Sequence, residues 1–305
     1  MSDEQRRDQI ERQVSSCYST WADTYFDDYY ANEKAYPPVH LGIVRDLLQA
    51  ARSKTVLDAG CGPASMLRGL TDLDLDLYGF DLTPEMVSVA REVMASAGVP
   101  ANRIWEGSVA EAADFARPGV TPDGFDAAIC MGVFPHLSEE AEWSALRNLH
   151  GAVRPDGIVA IEARNELFGL FTLNRYSYDL FSSRLIRAAD LRPQGGDQVA
   201  LDQALEAMKE RFRMDLPPVR GGKCDEPGYD QVLSRTHNPF VLSDKIRAAG
   251  FRDVRVLFYH YHCLPPMFEA AMPELFRKLS VAMENPQDWR GHFMASAFIV
   301  TGVRQ

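Results

Sequence analysis

The sequence predicts an α/β protein, a largely parallel sheet with helices on both faces and a mostly helical insertion late in the chain. Three observations carry this reading. Between residues 54 and 81, two short apolar runs each end in an aspartate, Val56-Leu57-Asp58 and Gly79-Phe80-Asp81, and a Gly-x-Gly opens the helix-compatible segment between them. That is the outline of a β-α-β unit. Strand-like and helix-like segments then alternate as far as residue 162, and the long stretch 164–237 breaks the alternation before it resumes.

The elements follow in order. Residues 3–16 are polar and helix-compatible, and an unusually aromatic run follows: Tyr18, Trp21, Tyr25, Phe26, Tyr29 and Tyr30. Residues 39–52 read as a helix leading into strand 1. Residues 64–72 read as the first core helix, with Pro63 suited to its first turn, and 74–80 as strand 2. Thr83 and Pro84 open a helix that runs to about residue 97, with Thr at the N-cap and Pro at N1. Strand 3 is expected at 102–106. A turn at Pro122-Asp123-Gly124 leads into a fully buried strand 4 that ends at Met131. Ser138 begins a helix with Glu139 and Glu140 in its first turn and Trp143, Leu146 and Leu149 on its buried stripe. The turn Arg154-Pro155-Asp156-Gly157 precedes strand 5 at 158–162. In the insertion, the aromatic run Phe168, Phe171, Tyr176, Tyr178 and Phe181 precedes a helix expected over 197–213 and a turn-rich segment at 217–222. A helix over 242–250, capped by Ser243, and strands over 252–262 and 293–303 complete the chain, with a Pro-broken helical excursion at 265–290.

Composition sets limits. The 305 residues are 46% hydrophobic and 25% charged, as in an ordinary globular protein. The net charge of −11 without a long basic block argues against a nucleic-acid or anionic-membrane partner. Five scattered cysteines (17, 61, 130, 224 and 263) without metal spacing read as reduced thiols in a cytoplasmic chain. The N-terminus has no apolar signal core, and no stretch approaches eighteen apolar residues.

The Gly-x-Gly turn carries the chemistry. Gly60 and Gly62 permit a tight turn and close backbone approach to a ligand at the carboxyl ends of the strands. Asp81, nineteen residues after Gly62, is placed to accept both hydroxyls of a ribose. Asp58, directly before the turn, would repel a pyrophosphate but would favour an ammonium group. Ser65 stands where a dinucleotide site would have its third glycine.

Asp58-Ala59-Gly60-Cys61-Gly62, followed by a second strand ending in Asp81, closely resembles the class I S-adenosylmethionine-dependent methyltransferases, over about residues 54–162 and more loosely over the last fifty. The resemblance implies a Rossmann-like seven-stranded mixed sheet whose last two strands pair antiparallel at the edge. It implies S-adenosylmethionine as cofactor and a methyl transfer as the reaction. It divides the chain into an N-terminal helical lid (1–53), a cofactor-binding core (54–163), a substrate cap (164–237) and the remaining core (238–305). By resemblance, Tyr18 and Tyr25 reach the methionyl end, Leu82 and Val109 flank the adenine, and Met86 and Met131 join the cofactor set. The aromatic run is otherwise simply helix packing. Ser108 stands where family members often carry an acidic residue near the adenine amino group, so a hydroxyl or backbone group would serve there.

Methyl transfer needs an aligned acceptor and, for a neutral acceptor, a base. His136, in the loop after strand 4, is the first candidate, with Glu162 and His237 at the same rim; each reads alternatively as a structural side chain. Arg164, Asn165, Tyr176 and His260 are candidates for the acceptor pocket. His260 and His262 share one strand face, and Tyr259 and Tyr261 the other. With no third ligand matched to the two histidines, no metal is expected. The resulting expectation is methyl transfer to a small molecule, most simply at oxygen, by a monomer or homodimer. A carbon acceptor such as an isoprenoid, a nitrogen acceptor, and a cofactor-binding protein without catalysis are the alternatives.

Overall fold

The computed structural model describes residues 3–27, 36–186, 196–216 and 231–305; Tyr29, Tyr30, the 217–222 segment and Cys224 lie outside them. Seven strands form one sheet: β1 (Thr55–Ala59), β2 (Asp76–Asp81), β3 (Ile104–Glu106), β4 (Phe125–Cys130), β5 (Val153–Arg164), β6 (Phe251–Tyr261) and β7 (Ala295–Arg304). Their order is β3-β2-β1-β4-β5-β7-β6, with β1 to β5 parallel and β7 antiparallel to both neighbours. The mixed sheet and its antiparallel edge are as expected. The strand order reverses between β1 and β4, and a ligand cleft opens at such a switch point, above the carboxyl ends of the strands.

Strand alternation sorts the core into two layers. Leu57, Ala128, Val159 and Phe298 face α5 (Glu139–Ala152) and the helix Pro239–Ala248, through Leu146, Leu149, Leu242 and Ile246. Val56, Ala127, Ile129, Ala160 and Ile299 face α2 (Val39–Ala50), α3 (Ser65–Arg68) and α4 (Pro84–Ser96), through Val44, Leu48, Leu67, Val87 and Ala90. Both faces are covered, which is why the inner strands read as continuous apolar runs. Each fully buried leucine or phenylalanine here contributes about 1.5–3 kcal/mol.

Four local expectations are corrected. The first core helix spans only Ser65–Arg68: Ala64 takes a left-handed conformation (φ 62°), and Arg45 binds the carbonyl of Gly69 just past the helix end. The last core helix starts at Pro239, not residue 242. Asn238 caps it by accepting from the Phe240 amide, whereas Ser243 lies inside and donates to the Pro239 carbonyl. β5 is longer than 158–162 because Val153 and Ile158 both pair with β4, and the Asp156 turn (φ 64°) is a bulge within the strand. His260 also adopts left-handed backbone (φ 62°), which breaks the alternation of β6. Tyr259 therefore packs with Leu257 and Ile299, and Tyr261 with Phe258 and Phe298, on opposite faces of the sheet.

After β5 the chain turns at Asn165, whose amide donates to the carbonyls of Gly291, His292 and Ala295 and whose oxygen accepts from the Leu167 amide. Short helices (Gly169–Thr172 and Arg175–Leu180) and the helix Gly196–Lys209 follow, and the chain rejoins the core where Asn165 pairs with His237. The N-terminal helix α1 (Asp3–Ser19) packs through Cys17 and the following Trp21 against Met86 and Val232. Among the described residues no helix is long and apolar enough to cross a membrane.

Candidate active site

A cleft whose empty space, counted with its open mouth, is about 930 Å³ lies at the β1/β4 switch point. Its floor is the glycine turn. The Gly60 and Cys61 amides both donate to the Phe80 carbonyl, at 2.8 and 2.9 Å. A Cβ on Gly60 (φ 88°) would lie 2.2 Å from Val133 Cγ2, so only glycine fits; Gly62 (φ 53°) faces open space in the cleft. Asp81 braces the turn: Oδ2 accepts from the Gly62 amide at 2.8 Å and Oδ1 from the Thr83 amide at 2.9 Å. The Thr83 side chain also bonds Asp81 and does not cap α4. Asp81 itself lines the cleft, within reach of a ligand's hydroxyl groups.

Asp58 is the most unusual group in the cleft. It is 1% exposed, and its Oδ1 has no hydrogen-bond partner among the described residues. Burial, and then the neighbouring Asp81, push its pKa up to about 8. Burial likewise raises Asp81, against the backbone N–H groups that favour its charged form. The cleft is lined by these two carboxylates and that of Glu11, and no lysine or arginine lines it among the described residues. Such a site suits a cationic nucleoside and disfavours a pyrophosphate.

One wall comes from α1. Arg7, Glu11, Val14 and Tyr18 follow the spacing i, i+4, i+7, i+11 and so share one helix face. Arg7 pairs with Glu111 at 2.8 Å, the Ser108 hydroxyl donates to Glu11 Oε1 at 2.7 Å, and the Tyr18 hydroxyl meets His136 Nε2 at 2.9 Å. Tyr18, Tyr25, Leu82, Met86, Ser108, Val109, Met131 and His136 all line the cleft together with Asp58, Gly60, Gly62 and Asp81. Every residue expected at the cofactor is thus on one surface. Glu11 was not expected there; the only signal in the sequence was the 7-11-14-18 stripe on an otherwise polar helix.

His136 is held from behind. Its Nδ1 lies 2.7 Å from the Leu233 carbonyl, an oxygen that only accepts, so Nδ1 carries the proton and Nε2 the lone pair. Burial lowers its pKa to about 4, with the Leu233 bond opposing and Arg164 adding to the shift.

The remaining candidates lie off the cleft walls. Glu162 accepts a hydrogen bond from Tyr259 on the α2 side of the sheet. His237 Nε2 is 3.2 Å from Glu142 Oε2, in a buried network that Arg235 and Lys245 complete at 2.9 Å each. Glu142 was missed because it lies at a helix position with no sequence-local cation; its partners arrive from beyond the insertion. The Arg164 guanidinium bonds Ser234, Asn165 is a structural hub, and Tyr176 is 45% exposed on the surface. His260 stacks with His262 and Tyr36 further along the rim. No residue lining the cleft comes from the described part of 164–237. That stretch reaches the site only from behind, through Leu233 and through the Arg235 amide, which donates to the Pro135 carbonyl. Among the described residues no group of three or more His, Cys, Asp or Glu is placed to hold a metal ion.

Residues 56–157, about a third of the chain, match the family model of a methyltransferase domain. With its sheet order and the Asp58–Gly62/Asp81 turn, that part of the chain is similar to the methyltransferase domains of class I S-adenosylmethionine-dependent enzymes. Among its relatives are proteins named ubiquinone biosynthesis O-methyltransferase: that of Aeromonas salmonicida (strain A449) is 30% identical over 128 residues, 42% of this chain and 50% of that protein. The namesake from Proteus mirabilis (strain HI4320) is 25% identical over 128 residues, 42% of this chain and 49% of that protein. The chain thus spans about half the length of these curated relatives. The solved magnesium protoporphyrin IX methyltransferase of Synechocystis PCC 6803 aligns over 87% of this chain and 82% of its own at 14% identity, with a TM-score of 0.46.

Proposed function

We propose that the chain transfers a methyl group from S-adenosylmethionine to a hydroxyl oxygen of a small molecule, with His136 as the base. The observation that carries this reading is the convergence on one cleft of a cationic-nucleoside cradle and a neutral histidine whose Nε2 lone pair, met by the Tyr18 hydroxyl, lies at the same space. S-adenosylmethionine, when bound, supplies an electrophilic methyl carbon on a sulfonium. The residues fit it. The orphaned Asp58 Oδ1 would accept from its ammonium group, Asp81 from its ribose hydroxyls, and Leu82, Val109 and Met86 would exclude water around its base. Tyr18 and Tyr25 would close the α1 side as a lid.

His136 Nε2 would take the acceptor proton as oxygen gains the methyl group, with Tyr18 either relaying that proton or giving up its place to the acceptor hydroxyl. The relatives' names favour oxygen. A carbon acceptor would need a carboxylate base, and Glu162, the candidate for that role, is engaged by Tyr259 away from the cleft. The inserted stretch 164–237 acts in this reading as a cap that backs His136, with Arg164, Tyr176 and His260 outside the methyl-transfer centre. We place the protein in the cytoplasm, as a monomer or homodimer.

Calorimetric titration with S-adenosylmethionine, with NAD as control, tests the cofactor half. Micromolar binding of the sulfonium cofactor alone is expected; binding of NAD instead, or of neither, overturns it. Turnover with catechol- and phenol-type acceptors above the background decay of the cofactor then separates an enzyme from a cofactor-binding protein.

A further inference from the structure

We propose that Glu11 reads the 6-amino edge of the cofactor's adenine, so that the N-terminal helix selects the base as well as covering the cleft. The inference rests on the nucleoside reading above and adds the group that decides its base. The direction of the ligand follows from the sheet. With its ammonium end at Asp58 on β1 and its ribose at Asp81 on β2, a nucleoside continues toward the end of β3, where Ser108 lies.

Few polar groups are free to meet a base there. The Ser108 amide is taken by Asp114 Oδ2 at 2.8 Å. The Ser108 hydroxyl accepts from the Ala110 amide at 3.1 Å and spends its one proton on Glu11 Oε1. What faces the cleft is the Glu11 carboxylate, with Oε1 fixed by Ser108 and Oε2 taking no hydrogen bond among the described residues. Arg7, one turn earlier, ties the same helix face to Glu111 and so sets the height of Glu11 over the base. A carboxylate only accepts. It therefore bonds an exocyclic amino group and repels a carbonyl in the same place, which discriminates adenine from hypoxanthine by charge and not by shape.

The test uses the full chain and two ligands that differ only at this edge, S-adenosylhomocysteine and its 6-oxo counterpart S-inosylhomocysteine, titrated by calorimetry. The unmodified protein is expected to prefer the adenosyl form by about 100-fold, and Glu11→Gln, whose amide can turn a donor toward the oxo group, to cut that preference below about 10-fold. Ser108→Ala, which keeps the carboxylate but releases its anchor, should fall between the two. Should Glu11→Gln fail to fold, as judged by its melting transition, Glu11→Asp, which retracts the carboxylate, is expected to show the same loss. An undiminished preference in a folded Glu11 variant overturns the inference. Equal binding of both ligands by the unmodified protein also overturns it while leaving the cofactor reading intact. Binding of neither ligand sinks the cofactor reading and this inference with it.

Discussion

The Tyr18 hydroxyl and His136 Nε2 meet at 2.9 Å across 118 positions of sequence. The Leu233 carbonyl on the other side of the ring, 2.7 Å from Nδ1, holds the proton there, and because burial keeps the imidazole neutral, Tyr18 is the donor of that bond. A helix before the core, a loop within it and the end of the insertion thus combine to set one tautomer.

If His136 is the base, His136→Ala lowers kcat by about 10²- to 10⁴-fold and leaves cofactor affinity nearly unchanged. The pH dependence follows from its pKa of about 4. At saturating cofactor, kcat should stay level from neutral pH down through the ordinary histidine range and fall only as the pH approaches 4. Equal losses in kcat and cofactor affinity on His136→Ala would reassign the residue to the cofactor site.

If Asp58 meets the cofactor's ammonium group, cofactor binding depends on pH. With a pKa of about 8 Asp58 is mostly protonated at pH 7, and an ammonium group beside it favours the carboxylate. Binding should therefore release up to about one proton at pH 7 and tighten as the pH rises from 6 to 8. Calorimetry in buffers of different ionisation enthalpy measures the release, and Asp58→Asn should abolish it. An unchanged proton count in that variant would remove Asp58 from the ammonium site.

The Glu142 network predicts a structural phenotype. Burial alone would raise the Glu142 pKa, but hydrogen bonds from His237 and Lys245 outweigh it and hold the carboxyl at about 2. Its contribution is present above the ordinary carboxylate pKa and is lost as the pH falls through about 2. Glu142→Ala strands three cationic or polar partners and should destabilise the fold by about 3–5 kcal/mol. His237→Gln should lower the melting temperature with kcat preserved; a selective loss of kcat would restore His237 to catalysis.

His262 shows the opposite economy. Neither ring nitrogen has a hydrogen-bond partner among the described residues, and the ring lies against Phe168 and Phe276. Burial, and then His260, lower its pKa to about 3. Between the unfolded histidine value and about 3 the unfolded chain binds more protons, so this group's contribution to stability falls as the pH drops through that window. His262→Phe should stabilise the protein by about 1 kcal/mol at neutral pH and flatten the acid side of its stability profile. Denaturant titrations at pH 7 and pH 4.5 measure both; destabilisation at pH 7 would show that the nitrogens make a contact that matters.

The sheet, the glycine turn and the cofactor wall were legible because their signals are local. Apolar runs bounded by Asp58 and Asp81 define strand ends, and glycines mark the positive backbone angles of Gly60 and Gly62. The cap of the helix Pro239–Ala248 was misplaced for a similar reason: Asn238-Pro239 is as good a start signal as Ser243, and only the backbone selects between them. The reversal at His260 is only weakly marked, since histidine is enriched at positive φ yet adopts it in a small minority of cases.

Sequence by itself determined the α/β class and the glycine turn with its two flanking aspartates. Those features depend on residues within one β-α-β unit and on periodicities of two and 3.6. Tertiary structure alone decided which rim residues share the cleft. It kept His136 there and removed Glu162 and His237, each bound by a partner about a hundred positions away. It also brought Glu11 from the first helix to the end of β3. Side-chain direction at a sheet edge and the partner of a buried charge are set by packing between distant segments, and no local pattern in the chain encodes that packing.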